Sequence, residues 1–279
     1  MLLLRHSRSA VASLRGVPNQ TQGLCGLCLG RAVHRYRPFS SIGTNDGSVT
    51  YLRNGETGAE LFLVGTAHVS AKSAEEVRQV IHEVKPNIVS VELCAERARK
   101  LMAGEQRQTW DLLRDFISFP GGLGQKLVHI ATKSIYSILR NTGVEPGKEF
   151  KVAVEEAQRL GAELVYIDQD FRVTVKRIAD EITYQDVFKL LTRQADMPAE
   201  LRREFEKGDF IQGVESLKTR QNIRVIMKGM EEVFPNLVKV LIHERDQLMF
   251  NNLRQLEGTI VAVVGMAHMD GIERLWKNK

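Results

Sequence analysis

Two segments near opposite ends of the chain repeat one pattern: an apolar run of strand length, a glycine, two small or flexible residues and a histidine. They are Leu61-Phe62-Leu63-Val64-Gly65-Thr66-Ala67-His68 and Thr259-Ile260-Val261-Ala262-Val263-Val264-Gly265-Met266-Ala267-His268. Apolar, β-branched runs this short read as strands buried on both faces, and each is followed by a helix-like segment. Both histidines therefore fall just past the carboxyl end of a strand, where open α/β sheets bind their ligands. The glycine lets the backbone leave the strand sharply, so a side chain three residues on can turn back over the strand end. An imidazole placed there can ligate a metal or carry a proton. One Gly-x-x-His alone is a weak signal, because a histidine bonded to a nearby carbonyl gives the same string. Its recurrence on a second strand is what points to a shared site.

The residues between the two segments predict the rest of an α/β sheet. Residues 48–53 alternate as a short strand would, and Asn54-Gly55-Glu56-Thr57-Gly58 supplies a turn into the first core strand, which together read as a hairpin. Ser73-Ala74-Glu75-Glu76 fits a capping box, and Val77, Val80, Ile81 and Val84 follow at helical spacing until Pro86. The next strand, residues 87–92, completes a βαβ unit with a right-handed crossover and ends on Glu92. Arg97 falls on the next helix, which residues 98–102 continue, and further helices are expected at 110–119 and 123–139. An amphipathic helix over 150–160 stops at Gly161, and a third strand over 163–168 ends on Asp168. Residues 173–257 read almost continuously as helix, a large helical insertion that forms a layer or lid. Within it His243-Glu244-Arg245-Asp246 has the look of a solvated surface. Successive helical residues point about 100° apart, so no more than two of the four can face one site.

Four strand ends thus deliver His68, Glu92, Asp168 and His268. Two imidazoles with two carboxylates suit a divalent cation left with an open coordination position. His129 reads as packing among apolar residues, and His82 sits on the charged face of its helix.

Charge and cysteine content narrow the class. The chain of 279 residues has a formal net charge of +5, but Arg5, Arg8, Arg15, Arg31, Arg35 and Arg37 all precede the first acidic residue, Asp46. Without them the remainder carries a charge of about −1, which removes the main argument for nucleic-acid binding. Residues 1–42 hold Arg, Ser, Leu and Ala and no acid, the composition of an organellar transit peptide, mitochondrial by preference and chloroplast as the alternative. The Arg37-Pro38-Phe39-Ser40-Ser41 run resembles a processing site, with cleavage near Ser40. Three cysteines cannot build a disulfide framework, and Cys25 and Cys28 belong to the leader, where their Cys-x-x-Cys spacing is chance. Cys94 reads as a core or pocket-lining residue. No stretch reaches the roughly 18 to 20 uncharged apolar residues of a membrane span. Apolar faces in the helical half would serve either a homo-oligomer or the core itself.

The motifs Val64-Gly65-Thr66-Ala67-His68-Val69-Ser70, Val91-Glu92-Leu93-Cys94-Ala95-Glu96-Arg97, Gly147-Lys148-Glu149-Phe150, Glu244-Arg245-Asp246 and Val264-Gly265-Met266-Ala267-His268 resemble the signature of the TraB/PrgY family, distantly related to the Tiki proteases. The likeness runs over residues 48–276, so that 48–279 would be a TraB domain with its helical layer at about 173–257. It implies an α/β fold of the erythromycin-esterase (EreA) and ChaN-like group and a metal-dependent hydrolytic centre, with peptidase activity associated with the Tiki branch. On that reading His68, His268 and Glu92, with Asp168 as a further ligand, hold Mn²⁺, Co²⁺ or Zn²⁺. Glu92 is alternatively the general base. Arg97 is its arginine partner, and Glu244 with Arg245 forms the late helical motif. Members often have Asp-Arg after the third strand, whereas here Gln169 follows Asp168 and supplies no guanidinium. The alternative to a hydrolase acting on a peptide or protein substrate is a non-catalytic organellar regulator or adaptor.

Overall fold

The computed structural model describes residues 47–66, 71–103, 147–181, 183, 185–186 and 219–278. The chain divides at Arg37, and every described residue belongs to the unit that follows. The expected leader, His68, the helices expected at 110–119 and 123–139 with His129, and residues 187–218 of the expected helical layer lie outside the described residues.

The chain opens with the expected hairpin, β1 (Val49–Arg53) antiparallel to β2 (Glu60–Thr66), with Val49 opposite Val64. Helix α1 (Ala71–Val84) carries the chain to β3 (Ile88–Val91), and α2 (Ala95–Met102) follows. Then come α3 (Lys148–Leu160), β4 (Glu163–Tyr166) and α4 (Phe171–Glu181). A second helical stretch comprises α5 (Arg220–Val233), the single turn α6 (Pro235–Val238), a π-helical turn (Lys239–His243) and α7 (Glu244–Leu253). The described chain closes with β5 (Thr259–Gly265) and α8 (Met266–Lys277). Several boundaries differ from the sequence reading: β3 and β4 stop at Val91 and Tyr166, before the carboxylates expected at their ends, and two helix starts change what is buried. Helix α1 begins at Ala71, so Ser73 lies buried inside its first turn rather than at an N-cap. Helix α3 begins two residues early, at Lys148, which draws Glu149 into its buried face.

The five strands are ordered β1-β2-β5-β3-β4, all parallel except β1. The βαβ unit from β2 through α1 to β3 therefore exists, but its two strands are not neighbours, because β5 lies between them. β5 is paired along both edges and its residues 260–265 are all buried, as suits an unbroken apolar run in a central strand covered on both faces. On one face Phe62, Val64, Val89, Val91, Val261 and Val263 pack against α1 and α3. On the other Leu61, Leu63, Ile260, Ala262 and Val264 pack against Met249, Phe250 and Leu253 of α7 and Met269, Ile272 and Trp276 of α8. This is a helix-sheet-helix sandwich with two apolar layers, and each fully buried Leu, Ile or Phe contributes on the order of 1.5–3 kcal/mol. Among the described residues no helix is long and apolar enough to cross a membrane.

The register sets the height of the strand ends. Thr66 pairs with Gly265, and Val91 pairs with both Val263 and Tyr166. Beyond the last pairs the backbone still zips: the Glu92 amide donates to Val263 at 3.0 Å and the Ile167 amide to Val91 at 3.1 Å. Glu92, Asp168 and the second Gly-x-x-His are thereby brought to one edge of the sheet.

Candidate functional site

Each functional side chain at this edge is placed by a specific local feature. β3 ends at Val91 and α2 begins at Ala95, so Glu92 leaves the strand directly beside β5. There the Gly265 amide donates to its Oε2 at 2.6 Å. α8 starts immediately after Gly265, so His268 occupies its first turn and folds back over the strand end. Asp168 follows β4 by two residues, and its Oδ1 accepts from the Gln169 amide at 2.8 Å. Gly65 answers a steric demand: a Cβ there would lie 2.1 Å from the Met269 sulfur, so the first motif's glycine makes room for the helix that carries the second motif's histidine.

The four-residue polar run on α7 splits by direction. His243 lies 3.0 Å from Glu231, and Glu244 accepts from Arg177 at 3.1 and 2.6 Å, both away from the strand ends. Arg245 and Asp246 turn inward, so the expectation of a solvated surface is corrected for these two residues, with side chains only 13% and 3% exposed. They follow the π-helical turn, whose extra residue per turn shifts the phase of what comes after it and which recurs at functional positions.

Inside, the groups form one chain of alternating charge. Arg245 donates from Nε to Asp168 Oδ1 at 3.1 Å and from Nη2 to Asp168 Oδ2 at 2.8 Å, a two-pronged pair. The same Nη2 also donates to Glu92 Oε1, and Nη1 donates to the Leu241 carbonyl at 3.2 Å. Glu92 Oε1 lies 3.2 Å from His268 Nε2, and His268 Nδ1 lies 2.7 Å from Asp246 Oδ1. The guanidinium that Gln169 does not supply at Asp168 thus comes from Arg245, with Arg97 Nη1 a further 3.6 Å from Oδ2. Arg97 is 39% exposed, so it is the arginine that reaches solvent from this array.

Burial by itself would discharge these groups; their neighbours decide otherwise. Desolvation pushes the His268 imidazolium down, but the Glu92 carboxylate and the hydrogen bond to Asp246 outweigh it and raise the ring to about 9. Both ring nitrogens of His268 therefore face an acid, Nδ1 meeting Asp246 and Nε2 meeting Glu92. Desolvation is the largest influence on Asp246 and pushes it up, only partly offset by His268. Arg245 is desolvated as well, yet Glu92 and Asp168 hold it firmly protonated.

Of the residues expected from sequence, Glu92, Asp168, His268, Arg245 and Arg97 are brought together, Glu244 is not, and His68 lies outside the described residues. The register nevertheless starts both Gly-x-x-His motifs on neighbouring strands, with Gly65 opposite Val264. Asp246 was missed as a site residue, although it stands in the Glu244-Arg245-Asp246 run. Among the described residues no cluster of three or more His, Cys, Asp or Glu side chains is arranged to hold a metal ion. The donor types nearest to those of a divalent-cation site are His268 and Glu92, where one imidazole nitrogen and one carboxylate oxygen converge and an acid fixes the other ring nitrogen, although Arg245 and the Gly265 amide also engage the Glu92 oxygens. Asp168 fits less well, since Arg245 engages both its oxygens.

A mostly parallel five-stranded sheet, sandwiched by helices and bearing a buried acid, histidine and arginine array at its strand ends, defines an α/β protein of the strand-end-site class. Its sequence matches the TraB/PrgY/gumN family model over residues 52–278, and the chain belongs to that family. It is 31% identical over 228 residues to a protein of Methanocaldococcus jannaschii named only as uncharacterized, a match covering 80% of this chain and 55% of that protein. It is 28% identical over 247 residues to a TraB domain-containing protein of Bos taurus and 26% identical to that of Homo sapiens, covering 79% of this chain in each case. The matches cover 63% and 64% of those two proteins, so the chain spans just over half to under two thirds of the length of these relatives.

Proposed function

We propose that the protein is a metal-dependent hydrolase, a peptidase in its simplest form, with a mitochondrial address that its acid-free, arginine-rich leader supports. The observation carrying this reading is the buried His268 and Glu92 pair at the carboxyl edge of a parallel sheet, with the far side of the imidazole fixed by Asp246. His268 and Glu92, with His68 as the third donor expected from the sequence, would hold Mn²⁺, Co²⁺ or Zn²⁺. Such a cation supplies a Lewis acid and brings a bound water towards a pKa of roughly 7.

The chain's own residues have separable tasks. The Gly265 amide and Arg245 fix both oxygens of Glu92, so this carboxylate meets His268 in one orientation. If Glu92 is not a ligand, it is the group placed to take a proton from water. Arg245 is saturated by its two carboxylates and a carbonyl and serves to hold the site. Arg97, half-exposed and loosely paired, is free to meet the carbonyl oxygen or carboxylate of a peptide.

One observation favours a second reading, a regulator or adaptor without turnover. The oxygens of Glu92 and Asp168 all have protein donors, so the array closes on itself as a structural clasp would. Metal analysis of the purified full chain, then cleavage of a peptide library with and without chelator, decides between them. The hydrolase should bind about one equivalent of metal and lose turnover on chelation, and His68→Ala and His268→Ala should each abolish uptake while the fold survives. Metal-free protein without turnover favours the adaptor.

A further inference from the structure

We propose that Asp246 and Gly271 form a positioning pair for His268: Asp246 fixes the imidazole through Nδ1, and Gly271 leaves the space in which that carboxylate sits. Three observations support this. His268 Nδ1 and Asp246 Oδ1 are 2.7 Å apart, with side chains 4% and 3% exposed. Gly271 follows His268 by three residues on α8, so the two share a helix face. A Cβ built on Gly271 would lie 1.8 Å from Asp246 Oδ2 and 2.5 Å from its Cγ, closer than any real contact.

The second motif therefore extends beyond the histidine, to Gly265-x-x-His268-x-x-Gly271, and each position has a task. Gly265 lends its amide to Glu92, His268 faces Glu92 through Nε2, and Gly271 admits the acid behind the ring. A carboxylate taken out of water at a helix-helix contact is costly unless it is paired. Here the pairing fixes which imidazole nitrogen faces the Glu92 side. A carboxylate behind a ligating or proton-carrying histidine is a recurrent means of setting ring orientation. Asp246 and Gly271 are positioning residues, since they act through His268 and not on a reactant. The catalytic consequence rests on the proposed function, whereas the geometry does not.

The test reads the ring directly. In full-length protein labelled with ¹⁵N-histidine, ring nitrogen and proton spectra are recorded at one fixed pH near neutrality, and the His268 signals are assigned by their loss in His268→Gln. The wild type is expected to show a far-downfield, slowly exchanging proton on His268 Nδ1. Asp246→Asn should shift that signal and speed its exchange about tenfold or more, because a charge-assisted bond is weakened, and Gly271→Ala should do the same. A plain helix-helix tie would lower the melting temperature without altering the ring signal, and that result overturns the proposal. An unprotected Nδ1 proton in the wild type overturns it too, and this needs no variant to fold. A third measurement uses compensation: Gly271→Ala should lower the melting temperature in the wild-type background and much less beside Asp246→Ser, where the obstructing carboxylate is gone. Equal losses in the two backgrounds refute the steric half. Mn²⁺ titration completes the set, with uptake expected to be about 10- to 100-fold weaker in Asp246→Asn. If the wild type takes up no Mn²⁺, the hydrolase reading fails, while the ring spectra still decide the positioning roles.

Discussion

Arg245 concentrates the energetics of the site in one side chain. It lies between Glu92 and Asp168 with little access to water, and its removal would leave two buried carboxylates facing one another. Breaking a buried pair by deleting one partner costs about 3–5 kcal/mol, so Arg245→Ala should lower the melting temperature by about 6–20 °C for a chain of this size. Arg245→Lys should fall in between, because an ammonium keeps the charge but cannot bond two carboxylates from one planar fork. Melting curves of the three proteins check this, and an alanine variant that melts with the wild type would show that the carboxylates relax into solvent. The residues at strand ends were legible beforehand, because a strand that stops at Val91 or Gly265 leaves the next residues nowhere else to go. Asp246 was not. In a run of four polar residues on a helix, direction depends on helix phase, and the π-helical turn just before the run resets a phase that counting at 3.6 residues per turn assumes constant. Gly271 carried no signal at all, since its reason is a side chain from another helix.

At the scale of elements, the pairing of α1 with α3 turns on one acid. Glu156 of α3 has a side chain only 1% exposed and lies within reach of Arg78 and His82 of α1 and Arg159 of its own helix. Burial pushes its carboxyl up, but hydrogen bonds from His82 and Arg78 outweigh this and hold it below the ordinary glutamate range. A depressed folded-state value stabilises the protein above the unfolded value and ceases to do so as pH falls through the folded one. Glu156→Gln should therefore be less stable than wild type at pH 7, with the difference shrinking steadily as pH is lowered below about 4.5. Chemical denaturation across that range measures it, and a difference independent of pH would mean that packing, not charge, ties the helices. The charged face carrying His82 and the amphipathic pattern of residues 150–160 are legible in sequence, yet nothing local in either says that these faces meet. Strand order shows the same limit. Apolar runs and their lengths identified β2, β3, β4 and β5, but β2 and β5 are equally buried unbroken runs, so nothing in either run says that β5 lies between β2 and β3.

For the whole molecule, that strand order makes the fold depend on the last segment of the described chain. β5 pairs with β2 on one side and β3 on the other, and without it β1-β2 and β3-β4 are two separate pairs with no hydrogen bond between them. Its side chains also contribute Val261 and Val263 to one apolar layer and Ile260, Ala262 and Val264 to the other. α8 then covers the second layer with Met269, Ile272 and Trp276 and ties back to the first hairpin through the Trp276 indole, which donates to the Arg53 carbonyl at 3.0 Å. Isolated two-stranded ribbons are marginal in water, so the intermediate without β5 has no stable sheet to rest on. A chain truncated after Glu257 is expected to show no cooperative thermal transition and no near-ultraviolet circular dichroism, although its helices persist in the far ultraviolet. Because pairing β5 with β2 closes a loop of nearly the whole domain, refolding of the intact chain should be slow for its size, in the range of milliseconds to seconds or beyond. A truncated chain that still melted cooperatively would mean that each strand pair is stabilised by its own helices, and that the strand-end site is assembled by docking two preformed halves.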